Sequence, residues 1–251
     1  MTQKNDQPVA LITGGAKRIG AEICSTLHQR GFNIILHYRH AKEEAAQLSA
    51  LLNSQRPESC LLHQASLSGM KDIESLAHFA RQAWGRFDLL VNNASSFYPT
   101  PISQAQEADW EDLMSSNLKG AFFLSQKLVP ALKKQQGCIV NIIDLYAQSP
   151  LKEHPIYCIA KAGLVAMTQS LALELGPDIR VNGVSPGAIL WPETDIQNTN
   201  KQSQQQEILQ RTCLKRRGNP SDIAQTVAFL AQEAPFISGQ IITVDGGRLT
   251  R

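Results

Sequence analysis

The sequence predicts an α/β fold: a doubly wound parallel sheet of about seven strands with helices on both faces. Three observations predict it. Short runs rich in Val, Ile and Leu recur between longer segments of helical periodicity, the alternation that builds a parallel sheet buried on both sides. The first run, Val9 to Thr13, passes directly into a glycine turn and then a helix. Polar residues follow the ends of later runs, at the edge where open α/β sheets bind ligands: Asn93 after the fourth and Asp144 after the fifth.

Composition narrows the classes. With 251 residues, 43% hydrophobic and 18% charged, the chain is long enough for one domain with a substantial core, residues 1–251. No internal repeat is visible. A net charge of +2 is too mild to imply nucleic acid or a membrane surface as partner. The five cysteines are an odd set without C-x-x-C, which suits buried thiols in a reducing compartment. His37 and His40 share a loop with no third ligand, so no metal is expected. The N-terminus, MTQKNDQP, lacks the basic and apolar regions of a signal peptide, and no apolar run is read as reaching membrane-spanning length. The expected location is cytoplasmic, with residues 1–7 flexible.

The first strand feeds Gly14-Gly15-Ala16-Lys17-Arg18-Ile19-Gly20 and a helix through about Arg30, closed by Gly31. Gly14 permits the tight turn and Gly20 close packing. The helix N-terminus then offers free N–H groups and a positive dipole end to a pyrophosphate. The second strand, Asn33 to His37, ends in His37-Tyr38-Arg39-His40, with no Asp or Glu to accept ribose hydroxyls. Arg39 supplies a bidentate fork for a 2′-phosphate, and Lys17, Arg18 and His40 add donors or charge. NADP(H) is therefore expected over NAD(H); an ordinary basic surface loop is the competing reading.

Ala41 to Leu52 reads as an amphipathic helix, Cys60 to Gln64 as the third strand, Met70 to Trp84 as a helix and Asp88 to Asn92 as the fourth strand. Asn92 and Asn93 stabilise the turn that follows. Phe97 and Tyr98 lie in a proline-bounded loop with no strand or helix face to pack on, which suggests a flat ligand for Phe97; a hydrophobic anchor is as good a reading of Tyr98. Trp110 to Lys134 reads as one long helix carrying Asn117. Cys138 to Ile143 is the fifth strand and delivers Asp144 to its end. Tyr157 and Lys161 stand at i and i+4 on one helix face, where the cation lowers the tyrosine pKa towards that of a working acid/base.

The helix from Tyr157 to Leu175 is apolar on more faces than one sheet contact covers, which suggests a subunit interface. Ile179 to Ser185 is the sixth strand. Pro186-Gly187-Ala188 follows, and residues 188–215, including the Gln-rich stretch Asp195 to Gln206, read as a mobile lid. Ser221 caps a last helix to about Gln232. Gly239 to Val244 is the seventh strand, and Asp245-Gly246-Gly247 leads to a tail, Arg248 to Arg251, long enough to reach a neighbouring subunit's site.

Thr13-Gly14, Asn92-Asn93-Ala94 and Tyr157-x-x-x-Lys161 together resemble the short-chain dehydrogenase/reductase family over nearly the whole chain. Within it, TGGAKRIG, NNASSFYPTP, Asp144 where most relatives place Ser, and VDGGRLTR are similar to the pteridine reductases. The resemblance implies a Rossmann fold, a homotetramer, and Asp144, Tyr157, Lys161 and Asn117 as catalytic residues, with Asn117 holding a water against Lys161. It implies NADP(H) held by Gly14, Lys17, Arg18, Ile19, Gly20, His37, Tyr38, Arg39, His40, Ser66, Asn93, Ala94, Ser95, Tyr157, Lys161, Pro186 and Gly187. Ser66 stands where relatives commonly have Asp, and Arg18 where they have a glycine. Ser95, Phe97, Asp144, Tyr157, Leu190 and Trp191 are the implied substrate residues.

The reaction implied is NADPH-dependent reduction of a pterin, with Tyr157 as proton donor. A 3-oxoacyl or other carbonyl reductase of the same family is the alternative. A non-catalytic NADP(H)-binding regulator is a third reading, against which the joint presence of Tyr157, Lys161 and Asn117 weighs.

Overall fold

Seven parallel strands form one sheet in the order β3-β2-β1-β4-β5-β6-β7. They are β1 (Val9–Ile12), β2 (Asn33–Tyr38), β3 (Cys60–Gln64), β4 (Leu89–Asn92), β5 (Cys138–Ile142), β6 (Arg180–Pro186) and β7 (Ile241–Val244). The structure is a computed structural model and describes residues 6–190 and 199–250. Strand order reverses between β1 and β4, where Leu11 pairs with Leu90. That reversal opens a crevice at the strands' C-terminal ends, the place where doubly wound sheets hold ligands.

Eight α-helices accompany the sheet among the described residues: α1 (Arg18–Gln29), α2 (Lys42–Gln55), α3 (Met70–Gln82), α4 (Glu107–Met114), α5 (Gly120–Lys134), α6 (Pro155–Leu175), α7 (Thr199–Arg211) and α8 (Pro220–Gln232). Along β1 successive side chains enter opposite faces, as the two-residue strand period requires. Ala10 and Ile12 join a core with Ile34, Leu36 and Val140, closed by Ile23 and Leu27 of α1 and Ile223 and Val227 of α8. Val9 and Leu11 join the other core with Ile35, Leu90 and Ile139, closed by Ile73 and Leu76 of α3 and Leu124 and Leu128 of α5. Both faces are dry, so truncating a central side chain such as Leu11 to Ala costs about 2–5 kcal/mol.

Several expected elements differ. The helix expected from Trp110 to Lys134 begins earlier, at Glu107, and is interrupted by a π turn over Ser115–Lys119 that separates α4 from α5. Helix α6 starts at Pro155, because proline at the first helical positions loses no hydrogen bond and presets φ. The cap of α8 is Asn219 rather than Ser221: the backbone N–H of Asn219 donates to Asp222 Oδ2 at 2.8 Å. Part of the expected lid, Thr199–Arg211, is helical, while Trp191 and residues 195–198 lie outside the described residues.

Helix α6 is, by length and composition, long and apolar enough to cross a membrane, against the sequence expectation. Its buried side chains Leu164, Met167 and Thr168 pack inward, while Ile159 and Leu173 are 48% and 87% exposed. The apolarity arises because both a core face and an outward face carry large hydrophobes.

Candidate active site

At the C-terminal end of β1 the chain turns through Gly14 at φ +62°, a left-handed conformation that costs L-residues with a Cβ. A Cβ on Gly20 would lie 2.2 Å from the Gly14 carbonyl oxygen, so the start of α1 can approach the turn only with glycine there. Arg18 itself is left-handed at φ +54°, which explains why a glycine is the usual residue at this position of the turn. Its guanidinium NH2 donates to the Leu190 carbonyl at 3.3 Å, tying the turn to the segment after β6. Lys17, the N-cap of α1, makes no side-chain cap and pairs with Glu44 of α2 at 2.6 Å. The helix start is left to offer its N–H groups to an anion.

His37 and Tyr38 require a correction. His37 is buried; its Nδ1 accepts from the Gly14 N–H at 3.1 Å and its Nε2 donates to the Ala65 carbonyl at 3.1 Å. Burial pushes its pKa down to about 4, so the ring is neutral. His37 therefore braces the glycine turn from beneath, and Tyr38, also buried, packs into the core. Arg39 and His40 are exposed: Arg39 Nε donates to His40 Nε2 at 2.7 Å, and its NH1 lies 3.6 Å from Asp112 of α4. Ser66 Oγ accepts from its own loop at Ser68 N, 3.4 Å away.

Thr13, quoted only as part of a motif, is a hub. Its buried hydroxyl oxygen accepts from the backbone N–H groups of Asn93 and Ala94 at 2.9 and 3.0 Å, and donates to Val91 O. Asn93 Nδ2 returns bonds to the carbonyls of Thr13 and Gly14. The two loops at the sheet's reversal point are thus held as one unit. Behind them Asn92, Asn141 and Thr168 form a buried chain across β4, β5 and α6, at 2.8 and 2.9 Å. Pro186 ends β6, and the Gly187 N–H donates to Val244 O, so both lie at the same sheet edge.

On the other side of the crevice stands a largely buried trio, Asp144 being half-buried and Tyr157 and Lys161 fully so. The Tyr157 hydroxyl donates to Asp144 Oδ2 at 2.8 Å, while Asp144 Oδ1 accepts from the Tyr146 N–H at 2.9 Å. Lys161, 2% exposed, has Nζ 5.7 Å from the Tyr157 ring centre and donates to the Ile142 carbonyl at 3.0 Å. The expectation that Lys161 lowers the tyrosine pKa is reversed here. Burial first, and then the Asp144 carboxylate accepting its proton, hold the Tyr157 phenol well above its ordinary value. Burial also lowers Lys161 to about 8 and raises Asp144 above the usual carboxylate range.

Asn117 sits in the π turn. Its Nδ2 donates to Leu113 O at 2.9 Å, the i−4 carbonyl that a regular helix would use, and to Ser96 O at 3.0 Å. Its Oδ1 is buried with no partner among the described residues. Such π turns recur at functional sites, and nothing in the local sequence marks this one.

In the loop after β4, Ser95 is exposed at the crevice and Phe97 is 49% exposed. Phe97 meets the Tyr157 ring edge-on at 4.8 Å and stacks on His154 at 4.7 Å and 12°. His154 was not anticipated; its place just before the helix-starting Pro155 was the available signal. Tyr98 is the anchor, packed with Leu113, Ile156 and Tyr157. Arg248, the first residue of the C-terminal tail, lies 5.8 Å over the chain's own Tyr146 ring, and its charge opposes the rise that burial imposes on the Asp144 pKa. Of the expected substrate residues, Phe97, Asp144 and Tyr157 meet one another, Ser95 is exposed in the loop after β4, and the Leu190 carbonyl is held by Arg18.

Comparison with known proteins agrees with this geometry. A family model described as enoyl-(acyl carrier protein) reductase matches residues 14–248. Pteridine reductase 1 of Leishmania tarentolae is 34% identical over 100% of both chains. The 3-oxoacyl-[acyl-carrier-protein] reductase of Staphylococcus epidermidis is 32% identical over 95% of this chain and 97% of its own. A short-chain type dehydrogenase/reductase of Picea abies is 29% identical over 96% and 92%. With a glycine turn at the sheet's reversal point facing a buried tyrosine and lysine one helical turn apart, the chain belongs to the short-chain dehydrogenase/reductase family of nicotinamide-dependent oxidoreductases.

Proposed function

We propose that the protein reduces a pterin, a dihydropterin or its oxidised form, with NADPH. The observation that carries this reading is the carboxyl group of Asp144 on the Tyr157 hydroxyl at 2.8 Å. Reducing a ketone builds negative charge on oxygen, which a hydroxyl donor stabilises and a carboxylate opposes. Reducing a ring C=N calls for a proton on nitrogen, which a carboxyl group can help supply.

The residues present fit a nucleotide with a 2′-phosphate. Arg39 offers a guanidinium at the end of β2 where no acid stands to receive ribose hydroxyls, and the uncapped start of α1 suits a pyrophosphate. NADPH, when bound, supplies the hydride. Tyr157 delivers the proton to the ring nitrogen. Asp144, whose pKa is raised by burial, takes up a proton from solvent and passes it to the Tyr157 oxygen as the phenol gives its own away. Lys161 keeps a positive charge beside the phenol, and the unpaired Asn117 Oδ1 offers an acceptor for a water that links this relay to solvent. Phe97 supplies an aromatic face for the flat ring.

A second reading is reduction of a 3-oxoacyl thioester, favoured by the 3-oxoacyl reductase relatives at 32–33% identity. NADPH consumption across pterins, folates and 3-oxoacyl thioesters separates the two: turnover of thioesters with none of pterins would overturn the first. We also propose a homotetramer that covers Phe122 of α5 and Ile159 and Leu173 of α6, all exposed in the single chain. A monomeric mass by light scattering at micromolar concentration would exclude it.

A further inference from the structure

Asp112, on α4, takes no part in the chemistry above, yet its two carboxylate oxygens face two different parts of the site. Oδ1 lies 3.6 Å from NH1 of Arg39. Oδ2 accepts the Tyr98 hydroxyl at 3.2 Å. Arg39 is the cation on the coenzyme side, at the end of β2. Tyr98 belongs to the loop that carries Phe97 and packs beside Tyr157 with Leu113 and Ile156. One carboxylate therefore bridges the coenzyme side to the substrate side.

The guanidinium of Arg39 carries a single charge, and its Nε is already committed to His40 at 2.7 Å. A phosphate seeks two parallel N–H donors from such a group. If it takes NH1 it meets the Asp112 carboxylate at the same atom, and two anions then share one cation. The Arg39–Asp112 pair is long and about half exposed, with side chains 43% and 34% accessible, so it is weak enough to exchange. The Tyr98 hydroxyl pulls on the same carboxylate from the other side. Burial, with Asp112 as the next cause, raises Tyr98 to about 12, so the phenol remains a donor across the working pH range.

We propose that Asp112 is a specificity-determining residue for the coenzyme: it occupies Arg39 in the ligand-free chain, competes with an incoming 2′-phosphate, and is restrained in that competition by Tyr98. The proposal rests on the reading of Arg39 as the 2′-phosphate residue. Two substitutions then act in opposite directions. Asp112→Asn keeps the shape and an acceptor for Tyr98 but removes the competing charge, so a 2′-phosphate binds more tightly. Tyr98→Phe frees the carboxylate to hold Arg39 harder, so a 2′-phosphate binds more weakly. Were Asp112 only a splint that aims Arg39 at the phosphate, Asp112→Asn would weaken binding instead.

The test is calorimetric titration of the native chain and both variants with adenosine 2′,5′-bisphosphate and with adenosine 5′-monophosphate. These probes differ only in the 2′-phosphate and need no turnover. The expected result is binding of the bisphosphate about threefold tighter in Asp112→Asn and about twofold weaker in Tyr98→Phe, the scale of an exposed ion pair, with the monophosphate unchanged in both. Unchanged monophosphate binding also reports that each variant is folded. A native preference for the bisphosphate that Asp112→Asn leaves equal or weakens, or that Tyr98→Phe leaves equal or strengthens, overturns the proposal and spares the coenzyme reading. Equal native affinity for both probes overturns the coenzyme reading, and the proposal with it.

Discussion

The two sides of the crevice are built on opposite electrostatic principles. On the side of the glycine turn, Lys17, Arg39 and His40 are open to solvent, and their intramolecular partners, Glu44 and Asp112, are half-exposed acids. Such pairs are screened by water and exchange readily. On the other side, Tyr157 and Lys161 are buried and Asp144 half-buried, and burial is the first cause of the pKa shift in each. An exposed cation can select a ligand by charge while adding little to acid–base chemistry. A buried trio can move protons but tolerates no loss of a partner.

Breaking the buried side should produce the largest effect. Asp144→Ser is expected to lower kcat for a pterin by roughly 10²-fold or more, the scale of a general acid/base contribution, with NADPH affinity nearly unchanged. Near-native pterin turnover in this variant would reduce Asp144 to a turn cap for Tyr146 and remove the contrast. On the exposed side, Arg39→Ala should weaken NADPH binding by about 1.5–3 kcal/mol and leave NADH binding unaffected. Equal losses for both coenzymes would mean that the loop had collapsed.

Acidity offers a finer probe. Burial depresses Lys161 to about 8, so its ammonium is present below that pH and is lost as pH rises through it. The expected profile is a pterin kcat/KM that falls above about pH 8, with Lys161→Arg moving the fall upward because a guanidinium stays charged. An identical fall in Lys161→Arg would assign the titration to another group. The smallest effect is expected at the boundary between the two sides: Phe97→Ala should raise the pterin KM by a factor of about five and the NADPH KM less, stacking being worth about 1 kcal/mol beyond buried area. Steady-state kinetics with each substrate varied in turn separates these outcomes.

The sheet was legible because its central strands are apolar on both faces, and each ended within about two residues of its expected limit. Tyr157, Lys161 and Asp144 were legible from their spacing and from the strand end. The direction of the Tyr157 shift was not, because it depends on how deeply the pair is buried and on which atom the hydroxyl meets. His37 misled for a related reason: a polar residue at a strand end reads as a ligand contact unless its two backbone partners are known. Arg39 and Asp112 meet only through tertiary structure, and helical periodicity carries no trace of that meeting.

The π turn at Ser115–Lys119 has a bearing on how this chain tolerates changes in length. A π turn behaves as one surplus residue accommodated inside a helix. Removing one residue from it should not shorten the helix so much as heal it into continuous α geometry. The flanking turns would then keep their faces, with Leu124 and Leu128 still on the sheet. What is lost is the wide turn itself, and with it the seat from which the Asn117 amide reaches both Leu113 O and Ser96 O. A single-codon deletion here should thus spare the fold while emptying the position of Asn117, so the surplus residue serves the crevice rather than the helix.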